Sequence, residues 1–177
     1  MSDQAPWITY RPEIKVLDCT VRDGGLINDS KFEDDFVRAV YQTCVAAGID
    51  YMEIGYKNSK SVFPKEKFGP WRHCDEEDVR RIVGDNDTPL KLSVMADAGG
   101  KSDVFKDLLP KEESVLDMVR VACYVHQISE AVDMINHAHE LGYEATCNIM
   151  AISAAQDAEI DQALEVAAQS AASVVVI

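Results

Sequence analysis

The feature that most constrains this chain is an alternation of short apolar runs with longer stretches of helical spacing, repeating at roughly thirty residues. The apolar runs are Ile14-Lys15-Val16-Leu17, then residues 49–56 (IDYMEIGY), 90–96, 116–122, 143–150 and 173–177. Their β-branched, near-continuous character reads as strands of a buried parallel sheet. Between them, Phe32, Phe36, Val37, Val40, Cys44 and Val45 follow helical spacing up to Gly48. Ile128, Ala131, Val132, Ile135 and Ala138 do the same up to Gly142, and Ile160, Ala163, Leu164 and Ala167 form a later stripe. Ser30 with Glu33, and Ser153 with Gln156, have capping-box spacing, and Asp75 opens a short helix through Val83. Val104 to Leu109 reads as a further short helix. Strands alternating with helices specify βα units around a parallel sheet, either doubly wound or part of a (β/α)8 barrel. No GxGxxG follows the first strand, which counts against a dinucleotide-binding sheet.

A full barrel takes eight strands and roughly 250 residues, whereas this sequence holds about six βα units in 177 residues. The last run, Val174-Val175-Val176-Ile177, would stand as an apolar strand with no helix to cover it. The expectation is therefore the amino-terminal portion of a longer protein.

Charge and cysteines narrow the function classes. The net charge of −14 argues against a nucleic-acid or anionic-membrane surface, both of which need clustered Lys and Arg. The acidic residues are dispersed as solvated helix faces. The five cysteines are odd in number and show no CxxC spacing, and Cys19, Cys123 and Cys147 fall in or beside strand-like runs, where a free thiol packs as a small apolar group. With no signal-peptide pattern and no membrane-length apolar run, a cytoplasmic protein without nucleic-acid or membrane partners is expected.

The chemistry concentrates at Asp18-Cys19-Thr20-Val21-Arg22-Asp23-Gly24-Gly25. Here a strand delivers Arg, Asp and a glycine turn at its carboxyl end, where α/β proteins build active sites. Glu53 stands inside an otherwise largely apolar run and so needs an Arg, a Lys or a metal beside it. Arg120 and Asn148 also lie within strands, as substrate contacts or as structural polar groups inside a barrel. Residues 57–74 form a long excursion, a lid or a decorative insertion, whose Lys67, Arg72 and His73 are within possible reach of the site. Ala98-Gly99-Gly100-Lys101 lacks Walker spacing and reads as a turn. His137 and His139 lie two apart on a helix, point to nearly opposite sides and read as surface groups.

The Asp18–Gly25 stretch resembles the DRE-TIM metallolyases, which include 3-hydroxy-3-methylglutaryl-CoA lyase, isopropylmalate synthase and 4-hydroxy-2-oxovalerate aldolase. It is nearest the aldolase branch, with its Thr-x-Arg-Asp-Gly. Met52-Glu53-Ile54-Gly55 is similar to the family's second-strand Glu-x-Gly. The resemblance implies an α/β fold, an incomplete (β/α)8 TIM barrel, with residues 1–177 as the amino-terminal part of one catalytic domain. It implies that Asp23 ligates a divalent metal (Mg or Mn), that Arg22 stabilises the enolate oxygen of pyruvate or a related 2-oxo acid, and that Glu53 holds Arg22. The activity implied is aldolase or lyase cleavage of a carbon–carbon bond beside a 2-oxo acid, on a small-molecule substrate, in a chain open to homo-oligomerisation. The family's remaining metal ligands, a His-x-His pair on the seventh strand, are expected beyond Ile177, which leaves the 177 residues alone inactive. The aldolases' candidate base falls on or near Leu26, which cannot transfer a proton. Two alternatives therefore stay open: a condensing synthase joining an acyl-CoA to a 2-oxo acid, and a non-catalytic barrel serving as a binding module.

Overall fold

The computed structural model describes residue 11 and residues 13–99 and 108–177. Six strands, β1 (Leu17–Asp18), β2 (Tyr51–Tyr56), β3 (Lys91–Asp97), β4 (Met118–Tyr124), β5 (Glu144–Met150) and β6 (Val174–Val176), form one sheet in chain order. All neighbouring pairs are parallel. A doubly wound sheet reverses its strand order at a switch point. This sheet has no reversal, so its order is that of a barrel wall. The connections carry α1 (Thr20–Gly24), α2 (Asp34–Ala47), α3 (Glu76–Val83), α4 (Ile128–Glu140) and α5 (Asp157–Ala167).

The sheet is curled. In a flat sheet β2 and β5 would stand about 14 Å apart, three spacings of roughly 4.8 Å. Yet the Tyr51 hydroxyl on β2 donates to Glu144 Oε2 on β5 at 2.8 Å, and Lys91 on β3 pairs with the same carboxylate. Bonds across intervening strands require the sheet to fold towards that face, giving an α/β half-barrel.

Strand alternation then separates two faces. The outer face (Met52, Ile54, Leu92, Val94, Val119, Val121) packs under Val37 and Cys44 of α2, Ala131 and Ile135 of α4, and Ala163 of α5. The inner face is polar. Glu53, Ser93, Arg120, Thr146 and Asn148 line it, with Tyr56, Met95 and Ala122 forming a small apolar group among them. Cys44, Cys74, Cys123 and Cys147 are free and buried, as small apolar groups would be. Among the described residues no helix is long and apolar enough to cross a membrane.

Several local expectations are corrected. The first strand is two residues long, and Ile14 and Val16 are exposed. There the Tyr51 N–H still donates to the Val16 carbonyl oxygen at 3.0 Å, and the Asp50 carboxylate accepts from Val16 N at 2.9 Å and Lys15 Nζ at 3.0 Å. Ser30 forms no capping box: it takes a positive φ of 59°, and its hydroxyl is buried without a partner. Helix α2 instead starts after Glu33 with no side-chain cap. The second capping box forms one turn later than expected, between Gln156 and Glu159. Asp75 sits at the N-cap of α3, but its carboxylate is taken by lysines. The helix expected from Val104 falls largely on residues 101–107, outside the described residues.

Candidate active site

The site begins where β1 ends. The Asp18 carboxylate accepts from Thr20 N at 3.1 Å and Thr20 Oγ1 at 2.8 Å, turning the chain directly into the single turn of α1. Arg22 and Asp23 therefore sit on a helical turn anchored by buried Val21, and not on a flexible loop. Gly25 is required by close approach: a Cβ there would meet Ser30 Oγ at 2.9 Å and the Val21 carbonyl oxygen at 3.2 Å.

Glu53 is the buried centre. Its side chain is fully enclosed, and both oxygens are used. Oε2 accepts from Arg22 Nε at 2.6 Å, and Oε1 accepts from Arg120 Nη1 at 2.8 Å. The cation that the lone carboxylate in β2 required is thus present twice. Burial of Arg22 by itself would lower its pKa, but the charge and hydrogen bond of Glu53 outweigh it and the net shift is upward. Cys19 Sγ lies 4.0 Å from Arg120 Nη1. Burial, and then the Glu53 charge, push its thiol above the ordinary range, which disfavours a thiolate nucleophile.

The 57–74 excursion is drawn onto this cluster by Gly55. A Cβ at Gly55 would fall well inside contact of the Trp71 carbonyl oxygen and 2.7 Å from Cys74 Sγ. Only glycine lets the excursion's end lie against β2, next to the bulge between Glu53 and Gly55. Trp71, His73 and Cys74 are buried there. Arg72 packs its guanidinium carbon 4.5 Å from the Tyr56 ring centroid, 5.0 Å from Phe63 and 5.3 Å from Phe68. Arg22 also comes within 5.9 Å of the centroid of the same Tyr56 ring. Tyr56 was not singled out by sequence; its signal is an aromatic ring at the carboxyl end of β2. Burial raises its phenol pKa. His73 turns Nδ1 to the Asn58 carbonyl oxygen at 3.2 Å, and burial lowers its pKa, so the neutral ring is favoured.

The remaining candidates divide. Arg120 joins the Glu53 cluster from β4. Asn148 lies on the inner face of β5, its Oδ1 accepting from Thr146 Oγ1 at 3.2 Å. Lys67, His137 and His139 are exposed. Leu26, at the position of the expected base, is 57% exposed.

Asp23 pairs with Arg22, but its side chain is 59% exposed. Among the described residues no group of three or more His, Cys, Asp or Glu could hold a metal. One carboxylate is not a metal site, so the described residues do not by themselves fit a divalent ion.

Fold and site together define an α/β half-barrel with a buried arginine–glutamate–arginine cluster on its inner face. No family model matches the chain. Over 72 residues it is 42% identical to the oxaloacetate decarboxylase of Mycobacterium tuberculosis, a match spanning 41% of this chain and 20% of that protein. Its structure is similar to the N-terminal domain of a "putative aldolase" from Bacteroides vulgatus, with TM-score 0.70 and 26% identity over 83% of this chain and 48% of that one. The chain thus spans a fifth of the first relative's length and about half of the second.

Proposed function

We propose that this chain contributes the amino-terminal half of the active site of an aldolase- or lyase-type enzyme. The enzyme would make or break a carbon–carbon bond beside the carbonyl of a short 2-oxo acid. The carrying observation is the Glu53 cluster, in which one buried carboxylate orients two guanidinium groups inside the half-barrel. Cleavage beside a carbonyl leaves an electron pair delocalised onto the carbonyl oxygen as an enolate, and a fixed, permanently charged donor stabilises that oxygen as charge develops. Arg22 takes this role. Glu53 fixes its orientation and supplies the countercharge that makes its burial tolerable. Arg120 and Asn148, on adjacent strands of the inner face, contact the substrate's polar groups. Among the described residues Asp23 is the ligand that the family resemblance assigns to a divalent ion, which, if bound, would supply Lewis-acid polarisation of the substrate carbonyl.

The similarity to an oxaloacetate decarboxylase and to an aldolase domain supports the reaction class and leaves the substrate open. A condensing synthase would use the same arginines. Leu26 at the expected base position cannot transfer a proton, which counts against a pure oxovalerate aldolase and supports a non-catalytic binding module, whereas the retained Arg22, Asp23 and Glu53 oppose that alternative. A small-molecule partner in the cytoplasm completes the proposal.

The test is exchange of pyruvate methyl protons with deuterated solvent by the full-length protein with magnesium, followed by proton NMR. Exchange by the parent and its loss in Arg22→Ala are expected. Exchange that persists in Arg22→Ala, or no exchange in the parent, overturns the enzyme reading.

A further inference from the structure

Arg72 is the one buried arginine of this region without a carboxylate. It is 6% exposed, its Nε is sealed from solvent with no hydrogen-bond partner, and among the described residues its guanidinium makes no ion pair. Arg22 and Arg120, by contrast, share Glu53. Asp97, whose charge also acts on the Tyr56 phenol, gives its carboxylate to Asn58 Nδ2 at 3.0 Å and not to Arg72.

A buried cation is costly without an anion or an equivalent. The rings of Tyr56, Phe63 and Phe68 supply part of that compensation through their faces. Aromatic faces stabilise the charge of a guanidinium, but they leave its in-plane N–H donors unsatisfied. What the rings achieve is placement: Arg72 is held as a planar fork, the geometry that binds a carboxylate through two parallel hydrogen bonds.

Its position gives the fork a use. Arg72 and Arg22 approach the same Tyr56 ring, at 4.5 and 5.9 Å from its centroid. One cationic group is committed to Glu53 and the other has no carboxylate partner, and both lie within reach of the same ring. That arrangement suits a short molecule carrying a negative group at each end. We propose that Arg72 is the subsite for the second carboxylate of a dianionic 2-oxo acid, with the 2-oxo end directed to Arg22. This rests on the 2-oxo acid reading above. Arg72 is then a specificity-determining residue: it selects dicarboxylates over monocarboxylates.

The experiment is calorimetric titration of the full-length protein with pyruvate, with the stable dianion 2-oxoglutarate, and with inorganic phosphate, in the parent, Arg72→Met and Arg72→Lys. The parent is expected to bind the dianion more tightly than pyruvate. Arg72→Met should weaken the dianion by roughly ten- to a hundredfold, the scale of a lost hydrogen bond to a charged group, and leave pyruvate unchanged. Unchanged pyruvate binding also reports an intact fold. Should Arg72→Met fail to fold, Arg72→Lys carries the test, because it keeps the charge and loses the fork; its dianion affinity should fall and its pyruvate affinity should hold. Equal loss of both ligands, or no loss of either, makes Arg72 a structural strut and overturns the proposal alone. A parent that binds pyruvate and prefers no dianion does the same. A parent that binds neither 2-oxo acid overturns the functional reading as well. Phosphate binding that disappears with Arg72→Met in such a protein would assign the subsite to a phosphate-bearing ligand instead.

Discussion

Glu53 shows how one residue sets the terms for its neighbours. A fully enclosed carboxylate is tolerable only when both oxygens are satisfied, and here two guanidinium groups do so at 2.6 and 2.8 Å. Glu53→Ala would leave Arg22 and Arg120 close together without an anion. The expected loss of stability is about 3–5 kcal/mol, measured by urea denaturation with an unchanged slope. Glu53→Gln, which keeps the shape and can still accept one hydrogen bond, should lose less. A change in Glu53→Ala within about 0.5 kcal/mol, the range of an ordinary surface substitution, would show that the cluster contributes little. Part of this was legible in the chain itself. A lone Glu in an apolar strand demands an Arg, a Lys or a metal beside it, and the family resemblance implied that the partner is Arg22. Arg120 was visible as a charged residue inside a strand, but its partner lies 67 residues away. Sequence spacing carries no information about which inner-face side chains meet when a sheet curls.

At the scale of elements, two of the several contacts that hold the excursion of residues 57–74 can be tested by single substitutions. The first is Gly55, where any Cβ would strike the Trp71 carbonyl. Gly55→Ala is expected to destabilise by about 1–3 kcal/mol, the usual range for overpacking, and to speed protease cleavage within 57–74. Unchanged cleavage would show that the contact relaxes easily. The second is Asp75, which lies beside Lys57, Lys60 and Lys65 at 3.7, 2.9 and 2.6 Å. Burial alone would raise its pKa, but the hydrogen bonds from Lys65 and Lys60 and the Lys57 charge prevail and hold it at about 2. A carboxyl depressed in the folded state stabilises above its ordinary value of 3.8 and loses that contribution as pH falls towards 2. Hydrogen exchange in residues 57–74 should therefore accelerate between about pH 4 and pH 2, and Asp75→Asn should flatten that dependence. An identical pH profile in the two proteins would exclude Asp75 as the clamp. The sequence placed Asp75 at the start of α3 correctly. It did not foresee the lysines, because the same carboxylate can cap a helix or bind cations, and only the folded excursion brings the cations in.

On the scale of the whole molecule, curl is what turns a parallel sheet into a site. Tyr51 and Glu144 lie 93 residues apart and bond across the inner face at 2.8 Å. Tyr51→Phe deletes that bond alone and should lower stability by about 0.5–1.5 kcal/mol, read from thermal unfolding with the circular dichroism spectrum otherwise unchanged. No shift in the unfolding midpoint would show that the bond does not help hold the curl. The sequence by itself determined the α/β class, the order and approximate extents of the strands and major helices, and the surface placement of His137 and His139. Those features depend on local periodicity and on residues close along the chain. It also marked Arg22, Asp23 and Glu53 as candidates, through charge at a strand's carboxyl end or inside an apolar run and through the family resemblance that their motifs carry. Local periodicity left the barrel and doubly wound orders open and the family resemblance implied the barrel, which the half-barrel order bears out; only the tertiary structure gave Glu53 its second arginine, left Asp23 exposed and placed Arg72 against Tyr56 without an ion pair. Each of these depends on which side chains a curved sheet and a docked excursion bring within a few ångströms, and that is decided by packing across the whole chain.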